Sequence, residues 1–515
     1  MAERSMTAIY AETPRLLPED EWNRALLGVA HPPDWVNPQP QERYHLVVVG
    51  AGTAGLVSAA IAASLGAKVA LVERHLMGGD CLNVGCVPSK ALISASRAWQ
   101  AARRAAADFA GPAAAGGGDF AAVMERLRRL RAEIAPIDGA PRFRELGVDV
   151  FLGHGRFVAS DTVEVGGARL RFKKAVIATG GRAAAPPIAG LDSVPFLTNE
   201  SVFSLTALPA RLAVLGGGPI GCELAQSFAR FGSEVHLFQS APRLLARDDH
   251  EAAEVLQQRL VAEGLQVHLG AGVTRVALRN QGLALFYPGP GGEEKELLAD
   301  QLLVAVGRKP NTEGLGLEAA GVHYDERGVE VDDNLRTSNP RIFALGDVAS
   351  ALQFTHHADA QARMMIRNAF FLGRGKKSEL VLPWCTYTSP EVAQVGLTEA
   401  EARRRGITFD LVKVEMAEVD RARLEGQGEG FLKVLVAEGS DKILGATLVG
   451  EHAGDMIGHV VLAMTHGLGL AAFGTTIFPY PTQGEIFRKA ADAFNRRRLT
   501  PRAKSLLGTY FRATG

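Results

Sequence analysis

The sequence predicts an α/β chain in which two doubly wound units are followed by a smaller α+β domain, and three observations carry that prediction. The apolar run Leu46-Val47-Val48-Val49 leads into GAGTAG (Gly50, Gly52, Gly55), continues through an alanine-rich stretch and returns as Val69-Ala70-Leu71-Val72-Glu73. The same succession recurs from Leu212 as LAVLGGGPIGCE (Gly216, Gly218, Gly221) and returns as Val235-His236-Leu237-Phe238. From about residue 380 the pattern changes to alternating strands at 431–436 and 443–449, then an apolar stretch that predicts a long helix, which together suit an antiparallel sheet backed by helices.

Each of the first two units reads as strand, glycine turn, helix and strand, a Rossmann-like succession. Its glycines stand where backbone must approach a pyrophosphate and where the helix must pack closely on the sheet. Glu73 follows Gly50 by 23 residues, about where a carboxylate grips a ribose diol. Its counterpart, 23 residues after Gly216, is Gln239. Two bound dinucleotides are implied. An amide does not repel a 2′-phosphate as a carboxylate would, and Arg243 and Arg247 follow it, which favours NADPH at the second site. The alternative is NADH, with Gln239 on its ribose and the arginines solvated. TSNPRIFALGD (337–347) reads as a strand that delivers Gly346 and Asp347 at its carboxyl end, where open α/β sheets bind ligands, so Asp347 is a candidate for a hydroxyl of the first dinucleotide. AVIATGG (175–181) and VAVGRKPN (304–311) read as strand-to-loop crossings.

The stretch 78–90, GGDCLNVGCVPSK, carries the chemistry. Cys81 and Cys86 are separated by four intervening residues, and Val87-Pro88-Ser89-Lys90 suits the opening of a helix with Pro88 in its first turn. Unpaired backbone N–H groups and the positive end of the helix dipole lower the pKa of a thiol placed there. The chain has only four cysteines, at 81, 86, 222 and 385, too few for a disulfide-stapled secreted protein, so a reducing, cytoplasmic compartment is expected. A structural zinc site needs a second ligand pair near the first; His75 and Asp80 are the only other local donors, and the redox reading is favoured. Cys222 and Cys385 read as buried and inert.

Acidic and basic residues balance at 56 each, which gives no electrostatic case for a nucleic-acid partner or an anionic membrane. At 515 residues more than one domain is expected. The first forty residues, with Glu12, Glu19, Asp20 and Glu21, lack the apolar core of a secretory signal and read as an added arm that Trp22 and Trp35 pin to the body. Residues 458–478 are apolar but broken by His459, His466 and glycines, which suits a buried interface helix and loop rather than a membrane span.

Taken in order, the two glycine fingerprints, the cysteine string, the ATG at 178–180 and the GD at 346–347 resemble the class I flavoprotein pyridine nucleotide-disulfide oxidoreductases, mercuric reductase-like members above all, over residues 42–500. The resemblance implies an arm (1–41), an FAD domain in two parts (42–190 and 313–378) around an NAD(P) domain (191–312), and a dimerisation domain (379–515). It places FAD on Gly50, Gly52, Gly55, Glu73 and Asp347, and NADPH or NADH on Gly216, Gly218, Gly221 and Gln239. Cofactor contact extends to Lys90, Thr179, Gly180, Gly346 and Gly307. Cys86 takes the part of the flavin-side thiol and Cys81 that of the exchanging thiol, with a disulfide between them in the oxidised state. Lys90 and Glu223 match a pair beside the flavin ring, where a cation stabilises negative charge on reduced flavin. A homodimer with a shared active site follows.

Where disulfide-reducing members carry a histidine, this sequence has Tyr480, followed by the retained Pro481, Thr482 and Glu485. Thiol–disulfide exchange wants a base titrating near neutrality; a phenol with pKa about 10 is a poor one. Tyrosine resembles the mercuric reductases, in which thiolates hold a soft metal ion, so Hg(II) is the leading acceptor, bound transiently by Cys81 and Cys86. Those enzymes typically add a vicinal cysteine pair, and no cysteine follows Cys385 here. The alternatives are a dihydrolipoamide dehydrogenase-type disulfide or quinone reductase, favoured by Glu485, and a flavin redox sensor without fast turnover. His356 and His357, just after the GD, serve either as a proton donor near flavin or as a structural contact.

Overall fold

The computed structural model describes residues 14–113, 118–289, 291–498 and 500–515, so residues 1–13 of the arm, Glu12 among them, lie outside the described residues. The strand Tyr44–Val49 is at the centre of the first sheet because its side chains are apolar on both faces, as a buried parallel strand requires. It pairs in parallel with Val69–Glu73 on one side and Ala168–Ile177 on the other, in register Val47↔Ala70 and Val47↔Ala175. Val148–Leu152 extends the sheet beyond Val69–Glu73, and Ile342–Ala344 returns from far along the chain to pair with Ala168–Ile177. Helices Thr53–Ser64 and Thr355–Phe370 pack on this sheet around Leu46, Val48, Ala59, Phe343 and Met365.

The second sheet is wholly parallel, in the order Gln266–Leu269, Glu234–Gln239, Arg211–Leu215, Gln301–Val304. The helix Pro219–Phe231 covers it, burying Cys222, Leu224, Ala225 and Phe228. A short antiparallel ribbon, Gly181–Ala183 against Arg308–Pro310, joins the two units. It is built from the two strand-to-loop strings, which the side chains of Thr179 and Asn311 tie together in both directions: the Thr179 hydroxyl donates to Asn311 O at 2.7 Å, and the Asn311 amide donates to Thr179 O at 2.9 Å.

The C-terminal sheet is antiparallel and five-stranded, in the order Pro383–Thr386, Glu391–Gly396, Ile443–Gly450, Phe431–Ala437, Phe409–Glu415. The long helix expected after it is instead three short ones, Ala453–Met456, Gly458–Thr465 and Ala472–Thr475. Glycines at 454, 458, 467, 469 and 474 interrupt the run, and each lowers helix propensity by about 1 kcal/mol relative to alanine. Leu462, Leu468 and Ile477 of this stretch are exposed in the single chain.

The arm forms the helix Glu21–Ala30, capped by Asp20, whose side chain accepts from Asn23 N–H. Trp35 donates its indole N–H to Val150 O at 3.1 Å, and Trp22 packs beside Leu26. Among the described residues no helix is long and apolar enough to cross a membrane.

Candidate active site

Cys81 lies in the short helix Gly79–Asn83 and Cys86 is the first residue of the helix Cys86–Phe109, with Pro88 in its first turn. Both thiols are free. The turn between them has several anchors. Asn83 donates to Met77 O and Gly79 O, Arg131 donates to Asn83 O at 2.7 Å, and Asn199 reaches Val84 O. Arg131 is itself held by Asn23 of the arm at 2.5 Å, so the added N-terminal helix buttresses the redox turn.

The two thiols are electrostatically unlike. A hydrogen bond from Cys81, the Thr355 hydroxyl 3.3 Å away and the charge of Lys90 lower the Cys86 pKa to about 6, against burial and Glu223. The same hydrogen bond and burial raise that of Cys81. The reduced pair is therefore a Cys86 thiolate accepting a proton-bearing Cys81, with the negative charge on the thiol at the helix start.

Lys90 lies one turn into that helix, its Nζ 2.9 Å from Glu223 Oε2 and 4.5 Å from the centre of the Tyr387 ring. Glu223 is nearly fully buried in the first turns of the second fingerprint helix, and its other oxygen accepts Tyr387 N–H at 2.8 Å. Lys90 is thus fixed by an ion pair and an aromatic face, and its charge bears on Cys86. His356 donates through Nε2 to Pro383 O at 2.6 Å, since a carbonyl only accepts. His357 donates through Nδ1 to Leu352 O and accepts from Gln361, whose Oε1 takes the N–H of Gly346. Burial lowers the His357 pKa, so it is neutral. Both histidines are thus tied to backbone carbonyls, His356 at an exposed position.

The two nucleotide cradles repeat one construction. Gly50 has φ +104° and Gly216 φ +107°; a Cβ on either would stand 2.4 Å from a backbone oxygen, that of Ala178 or Ala305. A Cβ on Gly55 would stand 1.8 Å from Gly50 O, and one on Gly221 1.8 Å from Gly216 O, so only glycine lets each helix close on its turn. Glu73 accepts the N–H of Ala51 at 2.7 Å and that of His75 at 2.7 Å. Gln239 accepts the N–H of Gly217 at 3.0 Å. A cavity beside Gly50 and Glu73 is lined also by Arg74, His154, Thr179 and Leu315. Nothing stands within 4 Å of a Cβ built on Gly218, which leaves the second cradle open. Both sets of residues fit a dinucleotide.

Asp347 stands at the strand end beside Gly346, its Oδ2 3.4 Å from Arg308 Nε. Arg308 also pairs with Asp80, the residue before Cys81, and donates to Gly181 O. Arg243 and Arg247 give N–H groups to backbone carbonyls, those of Asp248, Ala246 and Ala351. Cys222 is fully buried and Cys385 half-buried, and desolvation pushes both thiols up, so neither is a thiolate at neutral pH. Tyr480 and Glu485 lie in the C-terminal domain and do not meet the cysteine pair within one chain. Tyr480 is 71% exposed and donates to Asp420 Oδ2 at 3.1 Å, which raises its pKa further. Glu485 is buried and pairs with Arg488 at 2.9 Å, and among the described residues its Oε2 has no hydrogen-bond partner. Sequence reasoning passed over Thr355, Arg308 and Tyr387. Arg308 was signalled only by its place after Gly307, and Thr355 only by the His-His pair beside it.

A dithiol poised as thiolate and thiol, set between two dinucleotide cradles, defines a nucleotide-dependent redox enzyme. The family model for pyridine nucleotide-disulphide oxidoreductases matches residues 44–362, and that for their dimerisation domain matches 382–491. The chain belongs to this family and is a flavoprotein disulfide oxidoreductase that uses FAD and NAD(P)H. It is 36% identical to the mercuric reductase of Staphylococcus aureus over 455 residues, covering 88% of this chain and 83% of that one. It is 35% identical to the mitochondrial dihydrolipoyl dehydrogenase of Dictyostelium discoideum, over 88% of this chain and 95% of that one. Among solved structures, the HOCl-induced flavoprotein disulfide reductase RclA from Escherichia coli superposes with a TM-score of 0.77 at 28% identity, over 87% of this chain and 99% of that one.

Proposed function

We propose that this oxidoreductase transfers two electrons from NADPH or NADH, by way of the Cys81–Cys86 pair, to a soft metal ion, with Hg(II) the leading acceptor. The observation that carries the reading is Tyr480, which stands where a disulfide reductase needs a base and is bound to Asp420 with its pKa raised. A phenol held in that state does not shuttle protons at neutral pH. Support also comes from the similarity to mercuric reductases, and from a solved relative described as a Cu(II) complex.

In this reading FAD would be held by Gly50, Gly52, Gly55, Glu73 and Asp347 with Thr179, Gly180 and Gly346, and would supply two-electron redox chemistry between nicotinamide and sulfur. Gly216, Gly218, Gly221, Gln239 and Gly307 hold the nicotinamide dinucleotide, and the absence of a carboxylate at 239 favours NADPH. Lys90, fixed by Glu223 and Tyr387, stabilises negative charge developing beside it. The Cys86 thiolate and Cys81 bind the metal ion, and Cys81 releases its proton to solvent as its sulfur becomes a ligand. The sulfur pair gives two electrons to Hg(II), leaving Hg(0) and a Cys81–Cys86 disulfide, and the hydride lost by NADPH returns that disulfide to thiolate and thiol, so that NADPH and Hg(II) give NADP⁺, Hg(0) and the one proton released to solvent. The proposal includes a homodimer in which residues 478–485 of one subunit line the approach to the cysteine pair of the other.

A second reading, reduction of lipoamide-type disulfides, draws on the similarity to dihydrolipoyl dehydrogenases and on Glu485. Tyr480→His separates the two. Glu485 Oε2 is free to orient an imidazole, so the variant is expected to raise lipoamide turnover roughly tenfold or more, within the range of a positioned base. Unchanged lipoamide turnover would remove Tyr480 as the reason for metal preference.

A further inference from the structure

The chain's overall charge balance conceals a local asymmetry. Beyond Asp492 come Arg496, Arg497, Arg498, Arg502, Lys504 and Arg512, and no acidic residue. Three of these cations belong to the helix Pro501–Thr514, which Thr500 caps by accepting Ala503 N–H. None of its residues is buried. Its side chains hydrogen-bond, among the described residues, only within the helix: Thr509 to Ser505 O, Thr514 to Tyr510 O, Arg512 to Thr509.

Its sequence is nonetheless that of a helix with a face to bury. Ala503, Leu506, Leu507, Tyr510 and Phe511 follow the spacing i, i+3, i+4, i+7, i+8, an arc of about 140° at 100° per residue. Leu506 is 73% exposed, Tyr510 61% and Phe511 65%. Arg502 and Lys504 fall on the two borders of that arc and Arg512 opposite it. Cations at the borders of an apolar stripe lay their aliphatic stems along it and raise their charges to a headgroup layer.

We propose that the helix Pro501–Thr514 is an interfacial anchor that seats the enzyme on an anionic phospholipid surface, with Leu506, Leu507, Tyr510 and Phe511 in the acyl boundary. The complement of an all-cationic helix is an anionic surface. A second copy of the helix would bring like charges together, and the helix lies beyond the segment that matches the family's dimerisation domain, which ends at 491. Whole-chain composition argued against an anionic membrane because it averaged this segment with the rest.

The test is co-sedimentation of the full FAD-loaded chain with vesicles of phosphatidylcholine alone and of phosphatidylcholine mixed with phosphatidylglycerol. The chain is expected to pellet with the mixed vesicles only and to be released by salt. Leu506→Asp/Phe511→Asp, at exposed positions, is expected to weaken partition roughly a hundredfold through loss of two apolar insertions, with NADPH oxidation and native mass unchanged. Failure of the wild-type chain to pellet, or equal pelleting of the variant, overturns the proposal. So does a fall in the variant's native mass from dimer to monomer, which would assign the face to a second copy.

Discussion

The first and second nucleotide cradles have the same backbone and different anchorage. Both need glycine at the turn and at the helix approach, with identical 1.8 Å clashes for any replacement at Gly55 and Gly221. The first closes its strand with Glu73, a buried carboxylate spanning two backbone N–H groups, and is surrounded by its own sheet. The second closes with the amide of Gln239 and is pinned to the C-terminal sheet by the buried Lys433, whose Nζ lies 2.9 Å from Asp249 and 2.6 Å from Glu251. Backbone sterics thus set what both cradles share, a seat for pyrophosphate, while single side chains set what distinguishes them.

The largest way to break this likeness is to fill the helix approach. Gly55→Ala is expected to give a colourless protein without flavin. Gly221→Ala should keep its yellow colour and lose reduction of the flavin by NAD(P)H by roughly a hundredfold, the scale of displacing a positioned reactant. Retained flavin in the first, or normal reduction in the second, would contradict the steric argument. Next comes the anchorage. Lys433→Met leaves Asp249 buried without its cation and is expected to destabilise the chain by about 3–5 kcal/mol in chemical denaturation; a loss below 1 kcal/mol would mean that solvent reaches the pair.

Gln239→Glu makes the second cradle resemble the first. A carboxylate facing a 2′-phosphate is expected to raise KM for NADPH roughly tenfold and to leave NADH little changed. Equal effects on both would place the amide away from the 2′ position. The smallest effect is expected at Thr355→Val, which removes one of the hydrogen bonds to Cys86 and should shift the alkylation profile of the reduced enzyme upward in pH. In the wild type the thiolate is present above about pH 6 and is lost as pH falls through that value, so iodoacetamide reactivity should fall on acidification. An unmoved midpoint would remove Thr355 from the account.

Much of the fold was legible because glycine turns and apolar strands are local requirements. The strands expected at 431–436 and 443–449 are Phe431–Ala437 and Ile443–Gly450. What escaped was tertiary. Thr355 meets Cys86 across 269 positions and Arg308 meets Asp80 across 228, and neither side chain belongs to a periodic pattern. After Gly450 the single long helix expected is three short ones, while the glycines and histidines read as breaks in 458–478 do interrupt it. The cationic face of the last helix was lost in a balanced total charge.

The most direct test is NADPH oxidation by the purified flavoprotein with Hg(II) in excess thiol, lipoamide and a quinone offered in parallel, for wild type and Cys81→Ser. The account predicts turnover with Hg(II), little with lipoamide, and loss of the Hg(II) reaction in the variant. Lipoamide turnover exceeding that with Hg(II), or a Cys81→Ser enzyme that reduces Hg(II) at the wild-type rate, would contradict it.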